Sequence, residues 1–282
     1  MTSKVWFITG SSKGFGRVWV EAALARGDRV AATARDVSAL KDLAGKYGDA
    51  LAAIKLDVND KRAVDAAVAE AHRRFGRLDV VINNAGYGLF GAIEEITEEE
   101  ARAQIETNVF GALWVTQAAI PIMRKQGSGH IIQISSIGGV NAFPNLGLYH
   151  ASKWALEGFS QALAAEVGEL GVHVTIVEPA GFATDWSGPS AKRAKPIDAY
   201  EPSREKMKTR RAGVVPGDPE ATGAAMLALA DATEPPLRVF FGDVGLPMIK
   251  QEYANRIALW EKWDHIADLS QGAAKNRKAE AA

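Results

Sequence analysis

The chain has 282 residues, 47% hydrophobic and 24% charged, and its 33 Lys and Arg against 34 Asp and Glu give a net charge of −1. That length suits one large α/β domain with a sizeable core, and the balanced charge offers no electrostatic case for nucleic acid or an anionic membrane. Cysteine is absent, which excludes disulfides, thiolate metal sites and cysteine nucleophiles and fits a cytoplasmic protein.

The first residues lack the apolar length of a signal peptide, and no uncharged apolar run approaches the ~18 residues of a membrane span, so a soluble protein is expected. Val5 to Thr9 is a short apolar run closed by Gly10, which predicts a buried strand. Gly10, Gly14 and Gly16 follow, then a helical stretch over about 17–26 that Gly27-Asp28 breaks. A second strand is predicted at Arg29–Ala34, a helix near 37–47, a strand at 51–56 and a helix at 60–75. Val80–Asn83 predicts the next strand. A long helix is expected over about 97–125, with Pro121 near its end, and then a strand at Ile131–Ser135. The helix carrying Lys153 runs to about Leu170 and precedes a strand at Val172–Val177.

Two stretches break this rhythm. Residues 185–216 are rich in Pro, Gly, Ser and basic residues, which suits either a solvated loop with a helix or a lid over a substrate pocket. After a helix near 218–231, Leu237–Phe241 predicts the last strand. A Trp-containing helix at about 246–268 then ends in a polar tail that is expected to fray. Strands alternating with helices predict an α/β fold, a single doubly wound domain whose seven-stranded, mainly parallel sheet carries helices on both faces. The expected organisation is a catalytic domain over 1–245 and a C-terminal helical extension of the same domain over 246–282.

Thr9-Gly10-Ser11-Ser12-Lys13-Gly14-Phe15-Gly16 stands where a dinucleotide-binding turn belongs, after the first strand and opening the first helix. Glycines there let the backbone approach a pyrophosphate, whose charge meets the helix N-terminus. The spacing Gly-x-x-x-Gly-x-Gly is neither Gly-x-Gly-x-x-Gly nor a P-loop, so taken alone it also fits an ordinary glycine loop. At the end of the second strand an NAD site places an acid. Here Ala34 is followed by Arg35, with Lys13 in reach of the same corner, and two cations favour the 2′-phosphate of NADP. Asp36 follows and is read as the start of the next helix. Asp57-Val58 fits either a contact with the adenine amino group or a helix entry.

Tyr149 and Lys153 are four residues apart and so share one helix face. An ammonium beside a phenol lowers its pKa from about 10, which would make the tyrosine a proton donor and acceptor near neutrality. An isolated match of this kind also fits an ordinary solvated face. His130 and His150 belong to no carboxylate–histidine pattern, so both are read as structural and no metal is expected.

With Asn83-Asn84-Ala85-Gly86, Asn108, Ser136 and the Pro179–Thr184 segment added in order, the chain resembles the classical short-chain dehydrogenases/reductases to about residue 245. The resemblance implies a Rossmann-type domain and a catalytic set of Asn108, Ser136, Tyr149 and Lys153. Tyr149 would exchange a proton with the substrate oxygen. Lys153 would lower the tyrosine pKa and hold the nicotinamide ribose, Ser136 would orient the carbonyl, and Asn108 would hold a water beside Lys153. Ser136 is preferred to Ser135 because it lies thirteen residues before Tyr149. The resemblance assigns NADP(H) to Gly10, Ser12, Lys13, Gly14, Phe15, Gly16, Arg35, Asp57, Val58, Asn84, Ala85, Gly86, Tyr149, Lys153, Pro179, Gly181, Phe182 and Thr184. Ala180 departs from it, since the family has Gly after this Pro.

The function expected is NADP(H)-dependent interconversion of a ketone or aldehyde and an alcohol. A non-catalytic nucleotide sensor would have lost Tyr149 or Lys153, and a sugar-nucleotide epimerase or dehydratase would carry a separate C-terminal substrate domain. Phe90, Val140, Phe143, Leu146 and Trp186 are expected around the pocket and favour a largely apolar small-molecule substrate. The resemblance also implies a homodimer or homotetramer packed through the helices around 97–125 and 150–170, although Trp154, Phe159 and Leu163 suit an ordinary core equally. Trp260 and Trp263 suit either an extended interface or a cap on the lid.

Overall fold

The computed structural model describes residues 3–188, 190–211 and 213–272; the polar tail from 273 onward lies outside the described residues. Strands β1 (Val5–Ile8), β2 (Arg29–Ala34), β3 (Leu51–Lys55) and β4 (Val80–Asn83) alternate with helices α1 (Gly14–Arg26), α2 (Lys41–Tyr47) and α3 (Lys61–Phe75). A two-residue strand β5 (Leu89–Phe90) precedes α4 (Glu98–Ile105) and α5 (Gly111–Gln126). Then come β6 (Gly129–Ile134), α6 (Gly147–Val167), β7 (Val172–Pro179), β8 (Lys192–Arg193), α7 (Glu201–Arg211), α8 (Ala221–Asp231), β9 (Arg238–Phe241) and α9 (Gly245–Gln271).

Seven of these strands form one parallel sheet in the order β3-β2-β1-β4-β6-β7-β9. Side chains alternate across a strand, and β1 shows the consequence. Val5 and Phe7 join the core beneath α3 and α5, while Trp6 and Ile8 join the one beneath α1, α2 and α8. Both faces are therefore covered, and the strands read as continuous apolar runs. Chain order reverses between β1 and β4, which opens a crevice at the carboxyl ends of those two strands.

The long helix expected over 97–125 is interrupted. A wide π-helical turn over Glu106–Phe110 separates α4 from α5, and Asn108 is buried inside it. The Asn108 amide is held by Tyr87 and Ser152, so tertiary contacts fix the turn where the periodicity alone continued a regular helix. The segment at 185–216 is also more ordered than its composition suggests. β8 runs parallel to β5, with Lys192 and Ala194 donating to the carbonyls of Gly88 and Phe90. Among the described residues no helix is long and apolar enough to cross a membrane.

Candidate active site

The glycine turn lies at the carboxyl end of β1. Gly14 has φ +56°, and a Cβ there would meet nothing within 4 Å. Gly16 faces the opposite constraint, since its Cβ would stand 2.4 Å from the Gly10 carbonyl and 2.6 Å from the Asn84 amide. One glycine gives open space and the other close packing. Helix α1 begins after Lys13 with no side-chain cap and no acid in its first turn. Its leading N–H groups are left for an anion, which fits a dinucleotide pyrophosphate.

Thr9 ties this turn to the end of β4, a role that the spacing of glycines did not reveal. Its hydroxyl accepts from the backbone N–H groups of Asn84 and Ala85, each at 3.0 Å. Asn84 Nδ2 donates back to the carbonyls of Thr9 and Gly10 at 2.9 and 3.0 Å. Asn84, Ala85 and Gly86 thus form the far wall of the crevice. A Cβ on Gly86 would come within 3.0 Å of Asn108 Oδ1 and 3.8 Å of Lys153 Nζ.

At the tip of β2, Arg35 is exposed, and Asp36 accepts from Ser38 N at 2.9 Å as the cap of a short 3₁₀ turn. Lys13 points to the other side of the crevice and pairs with Asp185 at 3.3 Å. Asp57 is exposed and its side chain accepts from Asn59 N, while Val58 is buried against Gly111.

The remaining residues converge from β6 and α6. Tyr149 is 6% exposed, and its phenol bonds to Ser136. Lys153 is 7% exposed, donates to the Ile134 carbonyl at 2.7 Å, and stands 5.8 Å from the centre of the Tyr149 ring. Ser136 also accepts from Gly138 N at 3.0 Å, which orients its hydroxyl. Asn108 accepts from Tyr87 N and donates to the Tyr87 carbonyl and Ser152. Its side chain thereby locks the loop after β4 against α6.

The expected acidification of the phenol is opposed by burial. Burial pushes the Tyr149 phenol up to about 12, with the Ser136 bond pulling the other way. Burial also takes Lys153 down to about 8, against the charge of Glu157. A dry site disfavours the charged form of both groups.

Trp186 forms the roof, its ring 4.9 Å from that of Tyr149 and 5.2 Å from that of Phe90. Phe143 packs at 5.5 Å against His150. Val140 and Leu146, expected as walls, are 7% and 2% exposed. His130 donates to or accepts from Thr175 at 2.9 Å inside the sheet, and burial lowers its pKa to about 3. His150 Nδ1 accepts from Phe143 N.

On the last wall, Pro179 ends β7 and Ala180 N donates to the Phe241 carbonyl at 2.9 Å. Ala180 keeps φ outside the left-handed region, so this departure from the family pattern costs no backbone strain. Gly181 and Ala183 pair with Gly217, Phe182 packs edge-on against Phe15 at 5.1 Å, and Thr184 caps the turn that carries Trp186.

Comparison with known proteins agrees with this layout. The family model described as short chain dehydrogenase matches residues 4–195. The oxidoreductase BOA17 of Botryotinia fuckeliana is 41% identical, across 94% of this chain and 98% of its own length. A crystal structure of a short-chain dehydrogenase from Streptomyces avermitilis superposes with a TM-score of 0.89 at 38% identity, covering 95% of this chain and 98% of that one. The 3-ketoacyl-(acyl-carrier-protein) reductase of Brucella melitensis, complexed with NADH, superposes with a TM-score of 0.73 at 26% identity, covering 84% of this chain and 96% of that one.

Proposed function

The chain belongs to the short-chain dehydrogenase family, and from that premise we propose that it is an NADP(H)-dependent oxidoreductase interconverting a ketone or aldehyde and the corresponding alcohol. The observation that carries this reading is the buried Tyr149 phenol, bonded to Ser136 with the Lys153 ammonium 5.8 Å from its ring centre.

In the direction of reduction, Ser136 holds the carbonyl oxygen and Tyr149 gives it a proton. Burial keeps the phenol protonated across the neutral range, so the donor form is always present. Lys153 then stabilises the phenolate left behind and holds the nicotinamide ribose. Asn108 fixes the loop beneath them and holds a water beside Lys153. In oxidation the phenolate takes the alcohol proton by the same path. The bound nicotinamide supplies or accepts the hydride at the carbonyl carbon.

Arg35 selects NADP, standing exposed at the β2 tip while Asp36 caps the following turn through Ser38. The aromatic roof of Trp186 and Phe90 favours an apolar substrate. Residues 185–216 act as the lid over it, and the working form is a homodimer or homotetramer.

Consumption of NADPH with a panel of ketones and aldehydes, followed by absorbance, tests the assignment. Tyr149→Phe is expected to bind cofactor yet lose at least about 100-fold in kcat, the contribution of a positioned acid. Turnover retained in that variant would remove Tyr149 from the acid role. No turnover with either dinucleotide would overturn the enzymatic reading.

A further inference from the structure

Three consecutive residues at the end of β6 face one stripe of α6. The Ile134 carbonyl accepts from Lys153, and Ser136 bonds Tyr149. Ser135 lies beside Glu157: a Cβ on Gly139 would stand 2.4 Å from Ser135 Oγ and 2.9 Å from Glu157 Oε1. Tyr149, Lys153 and Glu157 recur every four residues, so one helix face carries all three. The proposed reaction employs the first two and leaves Glu157 without a role.

A second acid stands behind it. Glu157 is 5% exposed and Glu178, on β7, only 1%. Both reach one cation, for Arg238 Nε on β9 lies 3.1 Å from Glu157 Oε2 and 3.5 Å from Glu178 Oε1. Arg238 is 35% exposed and also donates to Gln161 at 2.8 Å, which links the pair to the surface. Glu157 Oε1, Glu178 Oε1 and Ser135 Oγ are buried without a hydrogen-bond partner among the described residues. Two buried carboxylates that share one cation repel each other, and one proton taken up by the pair relieves that repulsion. Burial raises Glu178 to about 7, with the charge of Glu157 adding to the effect. It raises Glu157 too, against Ser135, Arg238 and Lys153.

We propose that Glu157 and Glu178 hold one proton between them at neutral pH and that this pair, through Glu157, sets the charge on Lys153. Glu157 is then a positioning residue for the reaction proposed above, on which this inference rests. The groups facing it are Lys153 and Gln161 on its own helix, Glu178 from β7, Arg238 from β9 and Ser135 after β6. With one proton in the pair, Lys153 and Arg238 oppose a single negative charge, and a net positive field remains for the phenolate that forms on Tyr149. With none, that field is cancelled.

Glu157→Gln and Glu178→Gln keep the shape of each side chain and remove its charge. Infrared spectra of the NADPH-saturated protein at pH 7 should show a protonated carboxyl band that either substitution abolishes. A wild-type protein without that band, or a band unchanged in both variants, overturns the shared proton. This readout needs no turnover, so it fails separately from the assigned reaction.

The pH dependence of kcat supplies the second readout. Glu157→Gln removes the negative charge that holds the proton on Lys153, and the alkaline limb should move down by about one unit. Glu178→Gln lets Glu157 ionise fully and should move the limb the other way, while Glu157→Asp should restore it toward the wild type. A purely structural role would lower kcat at every pH and leave the limb in place, and that result overturns the proposal.

Discussion

At the scale of single residues, the β2 corner sets a cation and an acid side by side, and the NADP preference proposed above turns on which of them meets the ribose. Asp36 follows Arg35 directly, and on charge alone the two would cancel. The Asp36 carboxylate is engaged by the Ser38 N–H, which holds its pKa below the ordinary carboxylate value. Lys13 is drawn to Asp185 across the crevice, so Arg35 is the residue left to meet a 2′-phosphate. A hydrogen bond to a charged group contributes about 1.5–3 kcal/mol. Arg35→Ala should therefore weaken NADPH binding by roughly 10- to 100-fold while NADH binding changes little. Fluorescence titration with both dinucleotides checks this, and equal losses for the two would remove Arg35 from the selectivity role. The convergence of Tyr149 and Lys153 was legible because helix periodicity puts residues four apart on one face, whereas Ser136 was read only from the family resemblance. The direction of the Tyr149 pKa was not legible. It depends on how dry the site is, to which Trp186, far along the chain, contributes by packing 4.9 Å from the Tyr149 ring.

At the scale of elements, strand and helix positions followed from continuous apolar runs and glycine breaks, because a parallel sheet buried on both faces fills its strands with apolar residues. The π turn at Asn108 and the order within 185–216 escaped that reasoning, since both are imposed by partners distant in sequence. Glu95 is the clearest such partner. Its side chain is 1% exposed and accepts from Ala92 N, Ile197 N and Arg204, each at 2.7 Å. Burial alone would raise its pKa, but the bonds from Ile197, Arg204 and Ala92 outweigh burial and hold it below its ordinary 4.5. A carboxylate with a depressed folded pKa contributes stability above its unfolded value and loses it as the pH falls further. The clasp between the loop after β5 and α7 should accordingly weaken in acid, below about pH 4.5. Glu95→Gln removes the charge that Arg204 and the Ala92 and Ile197 N–H groups bind. If the clasp holds only this segment, the loss should appear as faster hydrogen exchange across 195–211 rather than as global unfolding. Unchanged exchange there, with a lowered Tm, would mean that the clasp holds the whole domain instead.

At the scale of the whole molecule, α9 stands apart from the covered layers. It has 27 residues, about 40 Å at 1.5 Å per residue, yet only Gly245 and Ile249 are buried among them. Tyr253, Ile257, Trp260 and Trp263 are between 43% and 64% exposed, and their spacing puts them along one side of the helix. Its base is anchored to the domain by Arg256, whose guanidinium lies 5.2 Å from the Trp154 ring on α6 and 5.4 Å from that of Tyr253. An exposed apolar stripe of this extent marks an association surface. The stripe fits a second copy of the same helix packed antiparallel, with Lys250, Glu252 and Arg256 in one half and Glu261, Lys262, Asp264 and Asp268 in the other, although Arg256 is already paired with Glu252. Antiparallel pairing sets the weakly basic first half of each helix against the weakly acidic second half of its partner and covers both tryptophans. Light scattering on the purified protein should then give the mass of at least two chains. Trp260→Glu combined with Trp263→Glu should shift that mass toward one chain while the far-ultraviolet circular dichroism stays the same, because neither side chain supports the sheet. A wild-type protein of one-chain mass would sink this reading, and a double variant that still assembles would move the interface to α4–α6, where Phe110 and Trp114 stack at 5.6 Å with Phe110 38% exposed.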